Sequence, residues 1–425
     1  MDRILVICIV VLTFFITSFF FVISYHTSFF PSFISIPFKY ALSEELPQFL
    51  QKLKKINDSK YCVSNDFSYA NLPNENLSLD YFLDWSYHSN DTFHVERVLL
   101  SNNSIEKKYF FTKDYLHNML YPYAFGQDGY GISYKSRNDN VRPKHFLFNE
   151  FGVVYNIKKG PLICSKKSNE TFWINDDFTF HHSQEQDSEG NIWACGLKNV
   201  DTSLALNDNA IPFYIVLVDP KNGKTIYSKS ILDILEENNL NWMLDWPIIN
   251  DGNYLDLHHL NDIQPILKDN LFAKKGDVLI SLRNLNMILL FDPRNGKIKF
   301  HNFNLSQAQH DIDIYNDSCI SIFSNNTFVK KRSNGLEELN SIIIYNFITN
   351  QKRIFKSEVF KKFKINTRYQ GLCEIIDENN FMIEETGAGI VYVFEEDKVK
   401  TFFKKTADNQ VSMTCWSRLT KINNY

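Results

Sequence analysis

From about residue 95 onward the chain alternates short apolar runs with clusters of turn residues, and helical periodicity is scarce. Two segments share one plan. Residues 214–227 and 287–300 each carry a β-rich apolar run, then Asp219-Pro220-Lys221-Asn222-Gly223 or Asp292-Pro293-Arg294-Asn295-Gly296, then an outgoing run. Proline presets φ for the turn and Asn-Gly accepts positive φ, which is hairpin chemistry. Weaker copies span residues 342–355, turning at Ile348-Thr349-Asn350, and residues 390–403, turning at Glu395-Glu396-Asp397. A further strand precedes each copy and often opens on Gly or Asn, as at Gly190-Asn191, Gly276-Asp277 and Asn380-Phe381. A unit of about four strands recurring every roughly 50–70 residues is the pattern of a β-propeller. A β-sandwich would leave the repeated hairpin unexplained. The expectation is an all-β protein: a six-bladed β-propeller over residues 95–425, preceded by a short mixed segment at residues 26–94. After residue 25, helices are expected only at residues 44–57, where Leu46, Phe49, Leu50, Leu53 and Ile56 share a face, and near residues 231–240.

Residues 4–25 form an apolar run without Asp, Glu, Lys or Arg. About 20 such residues span a bilayer core as a helix. A cleaved signal peptide would have a shorter apolar region and small residues after it, whereas Phe19, Phe20 and Phe21 stand there. Residues 1–25 are therefore expected to be a transmembrane signal anchor. Arg3 beside the span favours a cytoplasmic N-terminus, which would put the propeller on the exported, periplasmic or extracytoplasmic side. The net charge of −4 gives no basic field for nucleic acid. None of Cys62, Cys164, Cys195, Cys319, Cys373 and Cys415 forms a Cys-x-x-Cys pair, so a zinc or thioredoxin-type site is not indicated. They could pair as disulfides in an oxidising compartment; for Cys195 and Cys319, in strand-like strings, a buried free thiol is the ordinary reading.

Five of the eleven histidines fall in three strings: Phe180-His181-His182, Asp256-Leu257-His258-His259-Leu260-Asn261 and Gln309-His310-Asp311. Ser281-Leu282-Arg283-Asn284 lies between the last two. The strings occupy similar phases of successive repeats, and equal phases of a radial repeat meet at the axis. Imidazoles gathered there with a guanidinium and a carboxamide would suit a compact anion.

These strings resemble the arylsulfate sulfotransferase family of six-bladed propellers. His181-His182 ahead of Gly190-Asn191, His259-Leu260-Asn261, Ser281-Leu282-Arg283 with its hairpin, Gln309-His310-Asp311 and the blade at residues 371–392 carry the likeness over roughly residues 175–395. The resemblance implies that His310 takes a sulfuryl group from an aryl sulfate and passes it to a phenol or alcohol through a sulfohistidine. His259, Arg283, Asn261 and His182 would assist, with His182 favoured over His181 as the ring facing the channel. No cofactor or metal is implied, and no P-loop for a nucleotide sulfate is present. The implied partners are the donor, the acceptor and the membrane at residues 4–25; self-association into a homo-oligomer is left open.

Simpler readings stand beside these. His258 and His301 are read as structural. Arg283 could pair internally with Asp262 or Asp311, since a buried Arg needs a partner, and Asn261 could cap a turn. The tryptophans Trp193, Trp242, Trp246 and Trp416 are read first as blade packing, although Trp242 and Trp246 could wall an aryl pocket. Two other functions compete: a membrane-tethered, non-catalytic binding propeller, and an iron oxygenase with four histidine ligands, for which a fourth histidine is not evident.

Overall fold

A computed structural model describes residues 72–89, 92–120, 143–157, 160–198, 212–240, 242, 258–326, 339–405, 412 and 414–422. All belong to one compact unit, Val63–Leu244 with Ile248–Tyr425. The expected anchor at residues 4–25 and helix at residues 44–57 lie outside them. Among the described residues no helix is long and apolar enough to cross a membrane.

The described chain is almost all antiparallel strand, arranged as a propeller-like set of sheets. Strands β11 (Leu260–Pro265), β12 (Val278–Leu282), β13 (Met287–Asp292) and β14 (Lys297–Asn302) pair in order. So do β15 (Gln309–Asn316), β16 (Cys319–Ser324), β17 (Ser341–Asn346) and β18 (Gln351–Phe355), followed by β19 (Leu372–Ile375), β20 (Asn380–Glu385), β21 (Ile390–Glu395) and β22 (Lys398–Phe402). A fourth sheet joins the two ends of the domain. Here β23 (Arg418–Lys421) pairs with β1 (Tyr81–Ser89), which continues to β2 (Thr92–Leu99) and β3 (Ile105–Thr112). The first strand thus begins ahead of residue 95. A seven-stranded sheet holds β4 (Pro143–Asn149), β5 (Gly152–Ile157), β6 (Gly160–Lys167), β7 (Glu170–Gln186), β8 (Ile192–Leu197), β9 (Phe213–Val218) and β10 (Thr225–Ser230). In it β7 pairs with β6 mainly through residues 170–175 and with β8 through residues 179–186.

The hairpins read from the sequence are present. Asp219 O accepts from Gly223 N at 2.8 Å and Asp292 O from Gly296 N at 2.9 Å. Each leading Asp also caps its turn, with Oδ1 accepting from Lys221 N or Arg294 N. Gly223 and Gly296 have φ of 74° and 72°, where a Cβ would be strained. Three short helices connect strands: α1 (Lys113–Leu120), α2 (Ile231–Glu237) and α3 (Ser357–Phe363). Helix α2 falls at the expected site, with Ser230 Oγ accepting from Leu232 N at its start.

Apolar clusters fill the gaps between successive sheets. Leu279, Ile288 and Leu290 of one sheet pack on Ile312, Ile320 and Ile322 of the next, while Phe323, Ile342 and Ile344 meet Phe381, Ile383 and Tyr392. Middle strands bury both faces, which explains continuous apolar runs such as Met287–Asp292. Outer strands alternate exposed and half-buried positions, as in β14. The leading strands are tied to one another by side chains. Ile263 N on β11 donates to Ser183 Oγ on β7, Ile312 N on β15 to Asp262 Oδ2, and Cys373 N on β19 to Asp311 Oδ2. Cys164, Cys195, Cys319, Cys373 and Cys415 are buried and free.

Candidate active site

The leading strands begin abnormally. His145, His182, His259, Ala308, Gln370 and Trp416 all have positive φ, between 49° and 64°. Each lies within β4, β7 or close ahead of β11, β15, β19 or β23. Register shifts accompany them between Lys144 and Leu147, His181 and Gln184, Leu260 and Asp262, and Gln309 and Asp311. A bulge frees a residue from pairing and re-aims its side chain, and left-handed backbone at a non-glycine residue costs of order 1–3 kcal/mol. His145, His182, Asn261 and His310 all fall inside these shifts.

The result is a closed circuit of rings. His145 and His182 have centroids 5.7 Å apart, His182 and His310 5.3 Å, His310 and Trp416 5.6 Å, and Trp416 and His145 4.9 Å. His259 adds a fifth ring 5.2 Å from His182. His181 lies outside the circuit, its Nδ1 2.6 Å from His182 Nδ1 and its ring on Phe213. Residues separated by up to 271 positions in sequence, from His145 to Trp416, therefore share one locus.

Arg283 opens a short 3-10 turn after β12, its backbone N donating to His259 O at 3.1 Å. Its Nη1 donates to Asn284 Oδ1 at 3.0 Å and its guanidinium carbon lies 5.5 Å from the Tyr369 ring centre. Asp262 accepts from Ile263 N and Ile312 N, and Asp311 from Cys373 N; neither carboxylate pairs with Arg283. Asn261 is buried, with Nδ2 donating to Gln309 O at 2.8 Å and Oδ1 without a partner. At most one amide N–H is therefore left for a ligand.

Burial sets the protonation of the rings. His310 is only 2% exposed and its pKa falls well below 6.5, first through desolvation and then through the charges of Arg283, His259 and Lys144. His182 is lowered likewise by burial and by the four neighbouring imidazoles, and His145 by burial, Lys144 and His310. These rings are neutral at pH 7 and keep a lone pair. Nδ1 of His310 is buried without a hydrogen-bond partner.

Trp242 is 44% exposed and packs on Phe303, 6.2 Å between centroids, rather than on the imidazoles. Trp246 lies outside the described residues. His258 is fully buried and His301 sits exposed on the outer strand β14, in keeping with structural roles. His145, Lys144 and Trp416 were missed. The available signal was positional: Phe146-Leu147-Phe148 is a strand, and a chain whose last strand closes beside its first puts Trp416 at the same phase as the histidines. Among the described residues no group of three or more His, Cys, Asp or Glu side chains is set to hold a metal ion.

The sequence profile of Arylsulfotransferase (ASST) matches residues 159–405, more than half of the chain. The chain belongs to the arylsulfotransferase family. It is a sulfotransferase-type enzyme acting on small molecules. The matched stretch contains His182, His259, Asn261, Arg283 and His310, while His145 and Trp416 fall outside it. No curated protein matches the chain. Among solved structures the chain is similar to the Nidogen/Laminin complex (9% identity, 80% of this chain and 99% of that one, TM-score 0.41). It is also similar to the Neurospora crassa Pan2 WD40 domain (8%, 79% and 87%, 0.38) and to virginiamycin B lyase from Staphylococcus aureus (11%, 62% and 71%, 0.35). At these TM-scores the likenesses carry no argument.

Proposed function

We propose that the protein transfers a sulfuryl group from an aryl sulfate to a phenolic or alcohol acceptor, with His310 as the nucleophile. A neutral ring nitrogen of His310 attacks sulfur; the N–S bond forms as the S–O bond to the aryl group breaks, and the phenolate leaves with the electron pair and takes up a proton. The acceptor hydroxyl then loses its proton, its oxygen attacks sulfur, and the S–N bond breaks to restore the imidazole. Sulfuryl transfer, like phosphoryl transfer, asks mainly for positioning and charge stabilisation at the peripheral oxygens. Arg283 supplies fixed positive charge, His182 and His259 ring N–H donors, and Asn261 its remaining amide N–H. The second phenol and the first need a proton carrier between them, a role suited to a neighbouring imidazole such as His182 or His259.

The observation that carries this reading is the convergence of His259 and His310 on His182, at 5.2 and 5.3 Å between ring centroids, with the Arg283 charge acting on His310. In the same reading the seven-stranded sheet counts as two blades, because β7 serves β6 with its first part and β8 with its second, which brings the blades to six. Residues 4–25 would hold the propeller to the membrane on the exported side, an assignment resting on sequence alone.

The test is transfer from 4-nitrophenyl sulfate to phenol, with mass spectrometry of the protein trapped without acceptor. Wild type should release nitrophenol and carry added sulfuryl mass at His310; His310→Ala should do neither. Equal nitrophenol release by both proteins would remove His310 from the mechanism.

A further inference from the structure

The loop leading into β19, residues 366–371, is held far more firmly than a rim loop needs. Asn325 Nδ2 donates to Thr367 O at 3.0 Å and to Gln370 O at 2.7 Å. Asn340 grips Thr367 from both sides, Nδ2 donating to its O at 3.0 Å and Oδ1 accepting from its N at 2.5 Å. Thr367 Oγ1 donates to Tyr369 O and accepts from Gly387 N, and Gly371 N donates to Thr386 Oγ1. Gly371 leaves no slack: a Cβ there would lie 2.5 Å from Thr367 Cγ2 and 2.7 Å from the Phe323 ring. Buried amides are satisfied here at the expense of any freedom in the loop.

What this frame presents is an aromatic ring that is not packed away. Tyr369 is 43% exposed, although burying an aromatic ring favours folding. Two guanidinium groups flank it, Arg283 at 5.5 Å and Arg368 at 5.4 Å from the ring centre. Arg283 is also the cation whose charge acts on His310. The ring thus stands one side chain away from the imidazole circuit.

We propose that Tyr369 is the aryl platform that selects an aromatic sulfate, with Arg283 and Arg368 receiving the sulfate oxygens. The proposal rests on the sulfuryl-transfer reading for its chemistry, but recognition of an aromatic ring beside an anion is a separate claim. An aryl sulfate offers both features within a few ångströms. Its ring can pack offset or edge-on against the exposed part of Tyr369, and a guanidinium fork suits a planar pair of anionic oxygens. An alkyl sulfate satisfies only the guanidinium groups, so the tyrosine converts an anion site into an aryl-sulfate site.

Two measurements test this. With 4-nitrophenyl sulfate, Tyr369→Leu should raise KM about 3–10-fold with kcat unchanged, and Arg368→Gln should raise KM similarly. A fall in kcat with KM unmoved in Tyr369→Leu would overturn the platform. The second measurement needs no turnover: calorimetric binding of benzenesulfonate and methanesulfonate. Wild type should prefer benzenesulfonate and Tyr369→Leu should lose that preference. No preference in wild type, or full preference in Tyr369→Leu, overturns the proposal. A lost preference in a protein whose wild type transfers no sulfuryl group leaves the platform standing and removes the transfer mechanism instead.

Discussion

The imidazole circuit and the carboxylate band next to it are built on the same strands, three residues apart, and obey opposite electrostatics. His182 is followed by Glu185, His259 by Asp262 and His310 by Asp313. On the histidine side, burial meets positive charge from Arg283 and Lys144, and His145, His182 and His310 are driven neutral. On the other side, burial meets negative charge. Asp262 is raised well above the usual carboxylate range by burial and then by Glu185 and Asp313, and Asp311 by burial and then by Asp313 and Asp262. Asp313 and Glu374 continue the band to a depression of about 290 Å³ lined also by Gln264, Lys268, Asp317 and Ser321. Arg418 is the cation of this band, donating to Glu185 at 2.7 Å and to Phe146 O at 3.0 Å. The first region collects lone pairs and positive charge at one buried locus. The second spends its polar groups on holding strands together.

The sharpest way to break this contrast is to remove the cation from each region. Arg283→Ala should slow transfer about 10²–10³-fold, the cost of losing one charge-stabilising donor, and leave the melting temperature nearly unchanged. Arg418→Ala should cost roughly 1–3 kcal/mol of stability, because Glu185 would lose its partner in a part-buried position. Steady-state kinetics and denaturant titration of both variants decide it. If Arg283→Ala unfolds as readily as Arg418→Ala, the two regions do not differ in kind.

The blades were legible because turn chemistry is local: Asp-Pro-x-Asn-Gly specifies a hairpin whatever surrounds it. Three histidine strings were legible because the repeat brings equal phases together. The bulges were not, since nothing in Gln309-His310-Asp311 announces a shift of register, and the same shifts decide which ring points where. His145 was lost beside Lys144 in a segment without a histidine pair, and Trp416 read as packing because ring closure by β23 is a long-range event. Nor does the string His259-Leu260-Asn261 announce that Asn261 gives one of its amide N–H groups to Gln309 O. The acidic residue three places after each of His182, His259 and His310 was in plain view. Its meaning needed the strand ties through Asp262 and Asp311.

A pH profile sharpens the comparison from the imidazole side. The unfolded chain protonates histidine near 6.5, whereas His145, His182 and His310 resist protonation until well below that value. Below 6.5 the unfolded state binds more protons, so these rings make stability fall as pH drops through that window. The same shift keeps the nucleophile active there. The acid limb of kcat/KM should lie below pH 6.5, measured in buffers of constant ionic strength. A limb at 7 or above would mean that the rings share a proton at neutral pH.

The smallest effect comes from the carboxylate side and has the opposite sign. Asp313 is pushed up to about 7, by burial first and then by Glu185, with Arg418 opposing. Its unfolded value is 3.8, so between that value and about 7 the folded state holds a proton that the unfolded state has lost. Stability contributed by Asp313 is therefore full below 3.8 and disappears as pH rises through 7. Asp313→Asn keeps the shape and removes the titration. Relative to wild type it should be neutral near pH 4 and gain at pH 8, by about 2 °C in melting temperature for each ~1 kcal/mol recovered. The partial exposure of Asp313 at the depression holds the gain to that scale through solvent screening. A variant less stable than wild type at pH 8 would show that the ionised carboxylate is held by Arg418 after all, and that the band is a salt-bridge network rather than a strained one.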